Sequence, residues 1–307
     1  MTTHTPLRCA NSFMVQRGSS EVVLMDTGAY PGQSNFLNET WTWNGTDWTN
    51  TGTTLIDANG PLPGRINHVM AYDGYNVMLF GGQGDSSLQG ILQDTWLWNG
   101  TAWARQTLTT SPFGRYFAEA CRSTTTALNV TMFGGYGGYS KLVNETWKWD
   151  GNLKTWTLLS PTTSPSARVG HCMAGGPSFL VMFGGANSAG ECKNDTWKFD
   201  GTNWTLQAPA TSPACRTGAS MAYDATNNVW VMFGGMNEYY RLPETWTYDG
   251  TTWTQRTPAT HPAGLTWSQM CWDAQSGTVL LFGGMSATDN YASQQTWSWN
   301  GTTWTQL

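Results

Sequence analysis

Glu119 stands in an extended stretch whose counterparts elsewhere in the chain carry small or apolar residues, Ser220 among them. A carboxyl kept from water titrates high and can pass a proton as general acid or base. Tyr116, Tyr136 and His68 are the candidates to collaborate with it, while pairing of Glu119 with an arginine is the plainer reading. His68 and His171 each precede a methionine by two residues, Met70 and Met173, which on a strand puts both side chains on one face. Imidazole with thioether suits copper. Met221 and Met270 recur at the same place without a histidine, however, and that favours packing; no metal and no cofactor are expected. Nucleophile elbows, P-loops and dinucleotide fingerprints find no suitable strand and helix context.

What positions these groups is a repeat. The run Val77-Met-Leu-Phe-Gly81-Gly82 returns as Val130-Thr-Met-Phe-Gly134-Gly135, Val181-Met-Phe-Gly184-Gly185, Val231-Met-Phe-Gly234-Gly235 and Leu280-Leu-Phe-Gly283-Gly284, and a degenerate copy, Val23-Leu-Met-Asp-Thr27-Gly28, makes six. The period is about fifty residues, a length that signals propellers and solenoids. Each copy continues with an acid or amide, Thr and Trp, as in Asp94-Thr95-Trp96 and Glu145-Thr146-Trp147, and a second aromatic follows two residues later. Then comes Asn-Gly or Asp-Gly, such as Asn99-Gly100 and Asp150-Gly151, which predicts a type I′ hairpin turn. A last strand carries Trp48, Trp103, Trp156, Trp204, Trp253 or Trp304. Sixteen of the nineteen tryptophans occupy these three repeat positions, so the tryptophan content is read as packing material.

Ahead of each Gly-Gly strand lies another extended segment, led by Arg8, Arg65, Arg115, Arg168 or Arg216, with Leu265 in the sixth copy. These arginines are expected to reach the acids before Trp, such as Asp94 and Glu145, or backbone carbonyls, more than any ligand. Four short antiparallel strands per copy and no useful helical period predict an all-β, six-bladed propeller as one domain. The expected blades are approximately 7–56, 57–108, 109–161, 162–209, 210–259 and 260–307. The last copy ends with its own fourth strand, so closure is expected by face packing between blades one and six, with at most residues 1–7 adding a contact.

Together, the di-glycine, the spaced tryptophan and the leading arginine make the chain resemble the Kelch-repeat superfamily over essentially its whole length. The resemblance implies that the residue after each leading arginine and the residue after each Gly-Gly point into the mouth of the central channel. Here those are Cys9, Ile66, Tyr116, Val169, Thr217 and Thr266, and Ala29, Gln83, Tyr136, Ala186, Met236 and Met285. The loops after Gly-Gly add Tyr30, Tyr139, Tyr239 and Tyr240 with a few carboxylates. A mouth so poor in arginine disfavours phosphates and acidic peptides. The expected ligand site is Tyr116, Tyr136, Gln83, Ile66, Val169, Met236, Met285, Thr217 and Tyr30, taking a small molecule or carbohydrate that stacks. Two alternatives stay open: a cofactor-independent isomerase, cyclase or lyase using Glu119, His68 and Tyr116, and a scaffold whose rim meets a protein. The cross-linked copper site and the iron-binding Glu-xxx-Asp-xxx-His pattern known among Kelch enzymes are absent from the sequence.

Composition excludes other classes. Charged residues are 11% of the chain and the net charge is −5, with no basic stripe to meet nucleic acid. No apolar run is long enough to suggest a membrane partner. The first residues lack the features of a secretory leader, which suggests a cytoplasmic protein or one whose signal lies outside this sequence. Eight Asn-x-Thr sequons recur mostly where turn chemistry explains them. Of six cysteines, Cys192 and Cys215 are expected on the same face of adjacent blades, where a bridge is conceivable.

Overall fold

The computed structural model describes residues 6, 12–19, 21–26, 38–52, 62–84, 90–123, 129–138, 141–288 and 291–307. It holds six four-stranded antiparallel sheets whose strands follow chain order, and strands of short two-stranded sheets intervene in the second, third and sixth. In the fifth blade these are Thr217–Asp224, Val229–Met236, Thr245–Tyr248 and Trp253–Arg256. The innermost strands are Phe13–Arg17, Val69–Tyr72, Glu119–Ser123, Cys172–Gly175, Thr217–Asp224 and Gln269–Asp273. They neighbour one another in sequence around a ring that ends where it began, with the sixth against the first. Among the described residues no helix is long and apolar enough to cross a membrane.

The core lies between blades rather than within them. One cluster joins Met14, Leu24 and Trp48 of the first blade to Cys271, Leu280 and Phe282 of the sixth. The period-two pattern of each strand gives both faces apolar side chains, which only neighbouring blades can cover. The tryptophan of every outermost strand then reaches back one blade and donates to the threonine of the acid-Thr-Trp motif. Trp103 Nε1 meets Thr40 Oγ1 at 2.8 Å, Trp156 meets Thr95 at 3.0 Å, and Trp204, Trp253 and Trp304 meet Thr146, Thr196 and Thr245 at 2.9 Å. The sixth such bond, Trp48 to Thr296 at 3.0 Å, closes the ring. No strand is exchanged between the ends of the chain among the described residues; face packing closes the propeller, helped by Gln294 donating to Pro6 O at 3.4 Å.

The leading arginines are structural. Arg65 donates to both oxygens of Asp94 at 2.6 and 2.8 Å and to Gly81 O at 2.9 Å, tying three strands of its blade at one end. Arg115 pairs with Glu145, Arg168 with Asp195 and Arg216 with Glu244, at 2.6 to 2.7 Å. Each of these carboxylates also accepts from the Trp Nε1 two residues on, as Asp195 does from Trp197 at 2.7 Å.

The Asn-Gly and Asp-Gly turns differ from the type I′ expectation. Trp98 pairs with Trp103, so residues 99–102 form a four-residue loop. Asn99 does not take positive φ; its Oδ1 instead accepts from the backbone of Thr101 and Ala102 at 2.9 Å, and Gly100 alone takes φ of 107°. Asn44 and Asn300 do the same, which accounts for three of the sequons by turn chemistry. Cys192 and Cys215 do face each other across blades four and five, where Arg216 N donates to Lys193 O at 3.3 Å, and both thiols are free.

Candidate functional site

The axis is closed at one end and open at the other. At the Gly-Gly end, the second residue after each leading arginine turns inward with left-handed backbone: Asn67, Phe117, Gly170, Gly218 and Trp267 have φ of 55° to 65°. Carbonyls pass hydrogen bonds around this tier, from Phe117 N to Asn67 O, Gly218 N to Gly170 O and Trp267 N to Gly218 O, at 2.7 to 3.1 Å. Blades three and six are opposite one another in a six-bladed ring, yet the rings of Phe117 and Trp267 meet with centroids 4.9 Å apart. Contact across the full diameter means the channel is plugged there. The two glycines leave room for this packing: a Cβ on Gly218 would lie 2.3 Å from Thr266 Oγ1 and one on Gly170 would lie 3.1 Å from the Trp267 ring.

Beneath the plug an axial cavity of about 320 Å³ runs to the opposite end, where exposed Gly18 and Ala225 line it. Its first level holds Glu119, Cys172, Ser220 and Gln269, each next to the plugged end of its strand. The second level holds Met70, Met173, Met221 and Met270 with Phe13 and Ala120. At the open end stand Tyr72, Tyr223, Trp272 and Arg122, the last with its guanidinium 5.4 Å from the Tyr72 ring centroid. This order, from carboxyl through thioethers to aromatic rings, follows from the repeat: successive residues of the innermost strands sit at successive depths.

Glu119 is half-buried and, among the described residues, its carboxyl makes no hydrogen bond or ion pair. Loss of water pushes it up to about 8, so the group is largely neutral at pH 7. The same burial, with the Glu119 charge adding to it, raises the thiols of Cys121 and Cys172. A carboxyl raised in the folded state favours folding fully below its unfolded value near 4.5, and that contribution is lost as pH rises toward 8. Melting temperatures of the wild type should therefore fall from about pH 5 to pH 8 relative to Glu119→Gln and run parallel above that. Parallel curves throughout would mean that Glu119 is solvated or paired.

The expected rim exists, but on the other side of the plug. The two series of rim residues pair with one another: Ile66 with Gln83, Tyr116 with Tyr136, Val169 with Ala186, Thr217 with Met236 and Thr266 with Met285. They crown the Gly-Gly face, and the Tyr116 and Tyr136 rings stack at 5.2 Å. Burial, helped by Tyr136, raises the Tyr116 phenol. Tyr30, Cys9 and Ala29 lie outside the described residues. None of these rim residues lines the axial cavity, and so Tyr116 and Tyr136 do not share a site with Glu119.

His68 does not share it either. Its ring packs on Phe13 at 5.2 Å, both nitrogens lack partners among the described residues, and burial, with Arg65 beside it, holds the imidazole well below its ordinary range. His171 packs edge-on against Phe133, and burial with Arg168 lowers it to about 3. Both rings are neutral packing groups between blades. No cluster of three metal-ligating His, Cys, Asp or Glu side chains occurs among the described residues. Sequence reasoning therefore found Glu119 but missed Met70, Tyr72, Arg122, Tyr223 and Trp272 as its companions. The recurrence of methionine at one depth was the available signal.

The sequence pattern of the KLHDC2/KLHL20/DRC7 Kelch-repeats domain matches residues 120–307. The solved structure of YjhT superposes with a TM-score of 0.74, covering 99% of this chain and 98% of that one at 14% identity, a likeness that shows the fold alone. No curated protein matches the sequence. With a family match over more than half its length and six four-stranded blades closed into a ring, this chain belongs to the Kelch-repeat β-propellers.

Proposed function

We propose that this propeller binds a small, largely apolar molecule inside its axial cavity, entered from the face opposite the Gly-Gly loops. One observation carries the reading: an axial cavity of about 320 Å³, next to the level where Phe117 meets Trp267, is lined mainly by thioethers and small side chains with one carboxyl at its depth. That volume is at the lower end of small-ligand pockets, which run from about 300 to 1,000 Å³. The methionine tier suits an apolar molecule better than a carbohydrate, since sugar hydroxyls need several polar partners and this level offers few. Proton-transfer catalysis has less support, because His68, Tyr116 and Tyr136 stand away from Glu119. A second reading, contact with a protein, is favoured by Phe113, Tyr239, Tyr240 and Tyr291, which are 64 to 77% exposed.

The test is a fragment screen by ligand-observed NMR on the wild type and on Gln269→Trp. Gln269 lines the same level as Glu119 and is half-buried, so an indole there intrudes on the cavity. Apolar and aromatic fragments should bind the wild type and lose at least about tenfold in affinity, or about 1.4 kcal/mol, in the variant. Hits indifferent to Gln269→Trp, in a variant with unchanged near-UV circular dichroism, would place binding elsewhere.

A further inference from the structure

Resting on that reading, we infer that the molecule this cavity selects carries a basic nitrogen, held as an ammonium against the Glu119 carboxylate with its apolar part among the methionines. Among the described residues Glu119 is the sole carboxylate that lines the cavity, and the sole cationic side chain that lines it, Arg122, stands three residues away toward the open end. A carboxyl without an ionic partner at the depth of a cavity lined largely by methionines and small side chains carries a desolvation cost when ionised, which an ammonium group offsets by direct attraction. Above it stand Met70, Met173, Met221 and Met270, then the aromatic side chains of Tyr72, Tyr223 and Trp272. Polarizable thioethers pack against the adjoining hydrocarbon without demanding hydrogen bonds. An anionic ligand would meet the carboxyl at the blind end. A neutral one would leave its charge-binding capacity unused.

The groups that face Glu119 are few. Cys121 lies on its own strand and Cys172 on the next blade, and both thiols are raised above the physiological range. Arg122, Tyr72 and Tyr223 lie toward the open end, with Cys271 on the sixth blade, its thiol also raised by burial. The three raised thiols keep their protons between about pH 6 and 8, the window in which Glu119 exchanges its own.

Phenethylamine and phenethyl alcohol, titrated calorimetrically at several pH values, test the inference. The amine enters as ammonium while Glu119, protonated in the empty cavity, must release its proton. Its affinity should therefore rise about tenfold per pH unit from pH 6 and level off near pH 8, with close to one proton released at the lower end. The alcohol should bind more weakly at pH 8 and show no such slope. In Glu119→Gln the amine should lose the slope and at least tenfold in affinity at pH 8, while the alcohol changes little. Equal binding of both molecules, or an amine slope that survives Glu119→Gln, overturns the ammonium assignment and leaves the cavity reading standing. If neither binds at about 1 mM and the fragment screen also finds nothing sensitive to Gln269→Trp, both fall together.

Discussion

Replacing Arg168 by methionine is expected to lower the unfolding free energy by about 3–5 kcal/mol, the usual cost of removing one partner from a buried ion pair. The Arg168 side chain is 1% exposed and donates to both oxygens of Asp195, to Gly184 O and to Ser166 O. Burial works against the Asp195 charge, but the bonds and charge of Arg168, with Trp197, outweigh it and hold the carboxyl below its ordinary value. Without the guanidinium that carboxylate stays half-buried with only Trp197 Nε1 and its own backbone to stabilise it. The sixth blade supplies an internal control, since Leu265 and Gln295 stand where the others have arginine and acid. There Trp297 Nε1 donates to the Gln295 amide at 3.1 Å, and Leu265 is 3% exposed. The double replacement Arg168→Leu with Asp195→Gln should accordingly recover roughly half of the loss, because no uncompensated charge remains. Denaturant unfolding of the three proteins measures this. A depressed carboxylate stabilises only above its unfolded value and loses that contribution as pH falls through its folded one, so the deficit of Arg168→Met should shrink below about pH 4. A double variant as unstable as the single one would show that the arginine acts through its carbonyl bonds alone.

Truncating Trp48 to alanine should cost about 3–5 kcal/mol, as for other buried tryptophans. Its consequence should differ from that of Trp204→Ala, although each indole donates to a threonine of the preceding blade and packs on a phenylalanine at 5.1 to 5.4 Å. Trp204 joins blades that the chain also connects. Trp48 joins the first blade to the last, where among the described residues packing and a few bonds such as Ala274 N to Gln16 Oε1 hold the seam. Opening at that seam breaks no covalent continuity, so the lost contacts translate into local opening. Hydrogen exchange should show Trp48→Ala deprotecting Glu21–Asp26 and Thr278–Phe282 ahead of the rest, with Trp204→Ala lowering protection evenly. Identical exchange patterns in both variants would deny any special weakness to the seam.

Much of this architecture was legible because it is local. Asn99-Gly100 and its relatives mark a hairpin whatever surrounds them, although at Asn99 the chain uses the side chain as the cap and spends positive φ on Gly100 alone. The pairing of Arg65 with Asp94 was readable from recurrence: an arginine and an acid return 27 to 30 residues apart in four blades, at the same two places in the repeat. His68 and Met70 were harder. Their alternation promised a shared face, but Asn67 takes φ of 56° just before, and the ring ends beside Phe13 of the neighbouring blade.

Recurrence of strand, turn and tryptophan determined the six-bladed ring, the Arg-acid ties and the depth at which Glu119 sits, since each depends on residues within one fifty-residue unit. Which end of the axis is blocked was decided by tertiary structure alone. Phe117 and Trp267 are 150 residues apart, at the repeat position where the second, fourth and fifth blades have Asn67, Gly170 and Gly218. They meet because six equal blades place the third opposite the sixth, and their contact turns an open channel into a blind pocket with a carboxyl at its floor.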